Sequence, residues 1–255
     1  MNAQEVLNQL KKKFVNNLKT KIFDNKHSSH CGSEGHFIEK CLGLEHNSKN
    51  EPDFMGWEIK KKSNKISFGD WSASGYLFKQ DDLMKRVNRI NTNISRDEYM
   101  KLFGSYNHKK QRYAWSGKCI PKVDKWNYNG TIMKCENGNI YIFYNYMKDT
   151  RKLDIPDIYQ NKYIILQYWK YSDLKKRLEN KFNKNGFVVF EKNIDNQYNK
   201  MLICKTIEYI TFYNMFKSGK IIFDSGMYQG NNRNYSQFRA NWKIIQELIF
   251  EEYTG

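Results

Sequence analysis

The stretch EPDFMGWEIKKKS, residues 51–63, sets two acids and a lysine run on what its alternation predicts to be a strand. Side chains two apart on a strand project together, about 6–7 Å from each other. Glu58 and Lys60 therefore share one face, and Trp57 and Ile59 the opposite, packed one. Pro52, with no amide hydrogen to give, suits a strand start or bulge, from which Asp53 can bend back towards Glu58. A solvated edge guarded by lysines is the plain structural reading. The chemical reading is that two carboxylates hold Mg²⁺ through hard oxygen ligands, leaving positions for water and a phosphate oxygen. Such a metal acidifies the water and offsets charge at phosphorus. A lysine beside it orients or helps deprotonate the nucleophile, or stabilises the crowded phosphorus. The pattern Asp-x4-Glu-x-Lys occurs once in the chain, and the apolar alternation behind it favours the chemical reading.

The surrounding 255 residues, 40% hydrophobic and 16% aromatic, suffice for one large domain or two lobes and exclude general disorder. Lys and Arg number 43 against 27 Asp and Glu, a net charge of +16. Such a field favours nucleic acid or an acidic membrane surface, although a coding bias towards Lys, Asn, Ile and Tyr explains part of it. No apolar run approaches the roughly 20 residues of a membrane span, so no membrane partner is expected. MNAQEVLNQLKKKF has no signal-peptide core; it reads as an amphipathic helix with Val6, Leu7, Leu10 and Phe14 on one side. The five cysteines (Cys31, Cys41, Cys119, Cys135, Cys204) are scattered and odd in number, which suits reduced thiols in a cytoplasmic setting. His27, His30, Cys31, His36 and Cys41 crowd one loop but lack the paired short spacings of structural zinc. No zinc is expected there.

HFIEKCLGLE reads as a short helix, with strands following over Phe54–Lys62 and Lys65–Trp71. Asp81–Phe103 looks helical, with Ser95 and Glu98 spaced like a helix start. Aromatic-rich strands run from Arg112 to Tyr146, where Tyr144 and Tyr146 are expected to pack. KYIILQYW, GFVVFEK, KMLICK and KIIFDSG are further strands, SDLKKRLENKF and TIEYITFYNMF are helices, and NWKIIQELIFEEY is expected to close the chain as a helix. Helices interleaved with strands indicate an α/β (α+β) fold with a mixed sheet flanked by helices. No linker marks a boundary, so residues 1–255 read as one chain of two lobes. The core is expected at about 1–75 and 160–220, and a smaller lobe for recognition at about 76–159 and 225–242.

The Pro52-Asp53 and Glu58-x-Lys60 signature resembles the PD-(D/E)XK nucleases. GSEGHFIEKCLGL, residues 32–44, looks like the glycine-rich turn and helix of their MutH-like group, through Gly32, Gly35, Glu39, Leu42 and Gly43. The interval to the PDF motif and the four residues between Asp53 and Glu58 look closest to the MvaI/BcnI restriction endonucleases. The resemblance implies a PD-(D/E)XK core and a type II restriction endonuclease that cleaves double-stranded DNA sequence-specifically with Mg²⁺. Asp53 and Glu58 would be metal ligands, Lys60 would stand beside the attacking water, and Glu39 would be an accessory acid. It further implies a monomer acting in a prokaryotic cytoplasm, with a cognate DNA methyltransferase as genetic partner. The overlap covers about 35 residues, from Gly32 to Lys62, and the tail from KIIFDSG to Trp242 is a second, looser match. That tail lacks the histidine that the group carries there.

The tail loop is a DNA-reading candidate by itself. Gln229, Asn231, Asn232, Arg233, Asn234, Tyr235, Gln237 and Arg239 concentrate amides and guanidiniums, the groups that pair with adenine and guanine edges. A plain polar hairpin is the bland alternative. NHKKQRYAWSG, residues 107–117, mixes bases with aromatics, suiting phosphate contacts from Lys109, Lys110 and Arg112. Arg86 and Arg89 are a weaker pair on one helical face. Two other functions stand beside restriction: a MutH-type repair nickase, and a non-catalytic basic DNA-binding module whose lysine strand is only an edge.

Overall fold

The computed structural model describes residues 1–24, 32–45, 49–79, 82–90, 94–151, 154–160 and 163–255. His27, His30 and Cys31 of the loop considered for zinc lie outside the described residues. Along the chain run α1 (Ala3–Lys13), α2 (Ser33–Cys41), β1 (Trp57–Lys61), β2 (Lys65–Asp70), β3 (Gly75–Tyr76), α3 (Asp82–Asn88) and α4 (Arg96–Phe103). Then come β4 (Ser105–Asn107), β5 (Arg112–Trp115), β6 (Asn129–Glu136), β7 (Asn139–Asp149), β8 (Ile164–Trp169) and α5 (Tyr171–Phe182). The last stretch holds β9 (Gly186–Lys192), β10 (Tyr198–Cys204), α6 (Tyr209–Lys217), β11 (Ile221–Asp224), β12 (Met227–Tyr228), β13 (Gln237–Asn241), α7 (Trp242–Gln246) and β14 (Ile249–Tyr253).

The chain forms two compact units, one of Met1–Ile66, Lys176–Thr211 and Ala240–Gly255, the other of Ser67–Lys175 and Phe212–Arg239. The first is built on a mixed sheet in the order β1-β9-β10-β14. β1 runs parallel to β9, with Glu58 opposite Phe187 and Lys60 opposite Val189; β10 is antiparallel to both β9 and β14. One core joins Val6, Leu7, Leu10 and Phe14 to Ile38, Leu42, Trp57, Ile59, Val188 and Phe190. The apolar stripe expected on the N-terminal helix is thus the stripe that packs, and Trp57 and Ile59 enter the same core.

Helix α2 is fixed by a half-buried charge. Glu34 pairs with Lys61 of β1 at 2.7 Å and with Lys192 of β9 at 2.5 Å, and accepts a hydrogen bond from the Tyr198 hydroxyl at 2.8 Å. Burial pushes the Glu34 carboxyl up, but Lys192, Lys61 and Tyr198 outweigh it and hold it below the usual carboxylate range. The second unit is the larger, because β8, which lies within the stretch read as core, pairs with β7 and β3 in the order β3-β8-β7-β6. A small sheet β12-β5-β4 and a third, β11-β13-β2, complete it. Its interior is aromatic, with Tyr99 against Trp115 at 5.3 Å and Phe103 against Tyr144 at 4.9 Å between ring centroids. The capping box read at Ser95 and Glu98 is formed at the start of α4.

Three local readings are corrected. Asp81–Phe103 is not one helix: α3 ends at Asn88 and Arg89 turns left-handed at φ 53°, so Arg86 and Arg89 do not share a helical face. The strand expected from Phe54 begins at Trp57, because Phe54 and Trp57 exchange backbone hydrogen bonds around a tight turn. The closing helix stops at Gln246, and Ile249–Tyr253 is a strand on β10. There Met201 faces Tyr253 and Leu202 faces Glu252, so pairing along the open sheet edge overrides local helix preference.

Charge-assisted hydrogen bonds contribute about 1.5–3 kcal/mol each, so we expect Glu34→Ala to lower the urea unfolding free energy at neutral pH by about 2 kcal/mol. Because the folded carboxyl is held low, that contribution is present above the unfolded carboxylate range and lost as pH falls through the lower folded value. Wild-type and Glu34→Ala unfolding curves should therefore converge in acid.

Candidate functional site

The turn before β1 shapes one wall of a cleft in the first unit. Met55 and Gly56 both have positive φ, 44° and 95°, the backbone of a two-residue hairpin loop. A Cβ on Gly56 would stand 2.6 Å from Asn185 Nδ2, so the position needs glycine. Asn185 donates from Nδ2 to the Met55 carbonyl at 3.0 Å and from its amide to the Gly56 carbonyl at 3.1 Å. This reversal swings Asp53 back over β1, where its Oδ2 accepts from the Ile59 amide at 2.8 Å.

Glu58 is buried, only 1% exposed, although β1 lies at the edge of its sheet. Its Oε1 pairs with Lys60 Nζ at 2.6 Å and with Lys181 Nζ at 3.1 Å. Its Oε2 is buried with no hydrogen-bond partner. Lys60 also sits over the Phe182 ring of α5, 5.6 Å from the centroid. Burial pushes the Glu58 carboxyl up, against Lys60 and Lys181, with Asp53 adding to the rise. For Lys60, burial works to lower the ammonium, but Glu58, Asp53 and Glu39 outweigh it and hold it above its usual range.

Glu39, Asp53, Glu58 and Lys60 line one cleft of about 180 Å³, together with Glu45, Lys49 and Lys181. Four carboxylates face three lysines there, so the lining carries one negative charge in its ordinary ionisation. Lys181 escaped the sequence reading. Leu174, Leu178 and Phe182 form the buried stripe of α5, and a lysine at the border of such a stripe is a reach-in candidate. Its partner, far away in sequence, has no local signal.

The DNA-contact candidates fall in the second unit. Lys109 and Lys110 are exposed on the turn between β4 and β5. Arg112 stacks 3.4 Å over the Tyr228 ring, and its buried Nε has no hydrogen-bond partner. The Tyr228 hydroxyl accepts from Asn231 Nδ2 at 2.9 Å, and Asn231 Oδ1 accepts from the Arg233 amide at 2.7 Å. Arg233 lies 4.6 Å from the Tyr235 ring centroid and pairs with Asp70 at 3.2 Å, its side chain 66% exposed. Gln237 and Arg239 bond to each other, and Arg239 pairs with Asp224 at 2.8 Å. Those two are engaged with their own sheet, whereas Arg112, Asn231, Arg233 and Tyr235 form one connected polar surface.

A family model described as LlaMI restriction endonuclease matches residues 15–253. The type II restriction enzyme ScrFI of Lactococcus lactis subsp. cremoris is 34% identical over 255 residues, covering 92% of this chain and 94% of that relative. Among solved structures, restriction endonuclease MvaI in complex with its cognate DNA substrate is similar with a TM-score of 0.60 at 17% identity, over 99% of this chain and 98% of that chain. The structural likeness identifies the fold, a mixed α/β nuclease architecture of the MvaI kind. The sequence matches go further: this chain belongs to the LlaMI restriction endonuclease family, type II enzymes that cleave DNA sequence-specifically.

Proposed function

We propose that the cleft at Asp53, Glu58 and Lys60 is the phosphodiester-cutting centre, that it works with Mg²⁺, and that the chain cuts duplex DNA as a monomer. One observation carries the reading: Glu58 is buried with one oxygen held by two lysines and the other left without a protein partner. Hard carboxylate oxygens suit Mg²⁺, so Asp53 and the open oxygen of Glu58 are its ligands. Among the described residues no three His, Cys, Asp or Glu side chains gather to hold a metal unaided; water, which Mg²⁺ retains in most sites, would complete its shell. When bound, the metal lowers the pKa of water and stabilises charge on the phosphate.

The protein's own part is positioning. Lys60 and Lys181 fix the Glu58 rotamer through Oε1. Lys60, charged beside Glu58, is a hydrogen-bond donor that can hold the nucleophile or a non-bridging phosphate oxygen. Glu39, within the electrostatic reach of Lys60, adds to the pull of Glu58 and Asp53 that keeps that ammonium charged. In the second unit, Arg112, Lys109 and Lys110 suit phosphates. Asn231, Arg233, Tyr235, Gln237 and Arg239 suit base edges in the major groove. The setting we infer is a prokaryotic cytoplasm, with a DNA methyltransferase protecting host sites. No helix among the described residues is long and apolar enough to cross a membrane.

Supercoiled plasmid incubated with the enzyme and Mg²⁺ should pass through nicked circles to linear product, as a monomer with one cutting centre requires, and chelation by EDTA should stop it. Asp53→Ala and Lys60→Ala should each slow cutting by about 10³-fold, the scale of several kcal/mol of transition-state stabilisation, with duplex binding in a gel-shift assay retained. Full cutting by either variant would remove the assignment. Lys181→Met should raise the Mg²⁺ concentration for half-maximal rate by about tenfold, the effect typical of a residue supporting a metal ligand, in the same plasmid assay.

A further inference from the structure

The loop between β12 and β13, residues 229–236, joins two different sheets. β12 pairs with β5, with Tyr228 opposite Ala114, whereas β13 belongs with β11 and β2. No ladder of its own shapes the loop. Among the described side chains outside it, Asp70 holds Ser236 and Arg233 at its far end, whereas Arg96 spans from the strand before the loop to residues 233 and 234. Arg96, the first residue of α4, donates from Nη1 to the Tyr228 carbonyl at 2.9 Å and from Nη2 to the Arg233 carbonyl at 2.8 Å. Its Nε donates to Asn234 Oδ1 at 2.8 Å. The three guanidinium nitrogens thus face the last residue of β12 and two residues of the loop. The next residue, Asp97, accepts from the Gly230 amide at 3.2 Å.

The helix end presenting these groups is itself capped. Glu98 accepts from the Ser95 amide at 2.9 Å, and Ser95 Oγ accepts from the Glu98 amide at 3.2 Å. Tyr99, Met100 and Phe103 are fully buried behind it. A planar fork with fixed donor directions can span three acceptors at once, which a lysine ammonium on a flexible stem cannot.

We infer that Arg96 is a specificity-determining positioning residue, which presets the 229–236 loop in the shape that presents Asn231, Arg233 and Tyr235 to DNA without contacting DNA itself. The inference rests on the reading of that loop as a base-reading surface. A loop fixed before binding loses less freedom on docking, and a base contact discriminates only while its donor is held in place. Arg96 therefore affects which sequences are cut, more than whether DNA is bound.

The test uses the full chain as wild type, Arg96→Ala, Arg96→Lys, Asn234→Ala and Arg233→Ala. Each digests a pool of duplexes with a randomised segment in Mg²⁺, and the cut ends are sequenced. Single-turnover rates are measured on the duplex that wild type cuts fastest, and the salt dependence of binding on a duplex it does not cut. Arg96→Ala and Arg96→Lys should both slow cutting of the preferred duplex by about tenfold, the scale of one lost base contact, and broaden the set of cut sequences. The salt slope should stay unchanged, because no phosphate contact is removed. Asn234→Ala, which deletes one of the three bonds and leaves the helix intact, should broaden the set in the same direction and carries the test if Arg96→Ala does not fold. A uniform fall in rate with an unchanged cut set would overturn the inference, as would full rescue by Arg96→Lys. If Arg233→Ala alters the cut set while Arg96→Ala and Asn234→Ala do not, positioning by Arg96 fails and the loop reading survives. If no variant alters it, both fall.

Discussion

The structure of the first unit depends on a buried carboxylate that has to be neutralised. Glu58 sits on a sheet-edge strand yet is only 1% exposed, and an isolated carboxylate in such surroundings is prohibitive. Lys60 answers it from the same strand and Lys181 from α5. Both act on one oxygen, so the other is left buried and without a hydrogen-bond partner, in a residue that lines one cleft with Asp53 and Glu39. On the proposed reading, the three side chains of this buried pairing also serve the cutting centre. Removing the Glu58 charge alone would leave Lys60 and Lys181 without their shared partner, which costs stability.

The lysine run after Glu58 divides its work by the strand's alternation. Lys60 turns to Glu58 under α5, whereas Lys61 turns to Glu34 of α2 and Lys62 pairs with Glu191 and lies over the Trp242 ring. None of the three is merely solvated, since each pairs with a carboxylate of its own unit. Helix α2 is used twice, since Glu34 ties it to the sheet and Glu39 lines the cleft. The acid that positions the helix and the acid that faces the site are five residues apart, on different sides of its axis.

Much of this was legible in residues 51–63, because a strand's period of two assigns faces without any knowledge of partners. Trp57 and Ile59 pack, and Glu58 and Lys60 share a face, as that period requires. The N-terminal helix and the Ser95 cap were legible for the same reason: their signals are local. Lys181 and Arg96 were not, because each acts on atoms far away in sequence, and nothing in SDLKKRLENKF or SRDEYM announces a partner. The closing strand misled for a related reason. WKIIQELIFEEY has helical spacing, and only the open edge of β10 makes Ile249–Tyr253 extend. Arg239, singled out by its place on a return strand, is held by Asp224 and Gln237, a pairing that requires knowing β11 lies beside β13.

The claim on which the rest stands is that a divalent cation binds between Asp53 and the open oxygen of Glu58. Anomalous diffraction from crystals grown with manganese tests it most directly. The account predicts a peak within coordination distance of both carboxylates, in the cleft lined by Lys60 and Glu39, and its loss in Glu58→Gln crystals. A peak ligated by other residues, or none at a manganese concentration that supports cutting in solution, would contradict it.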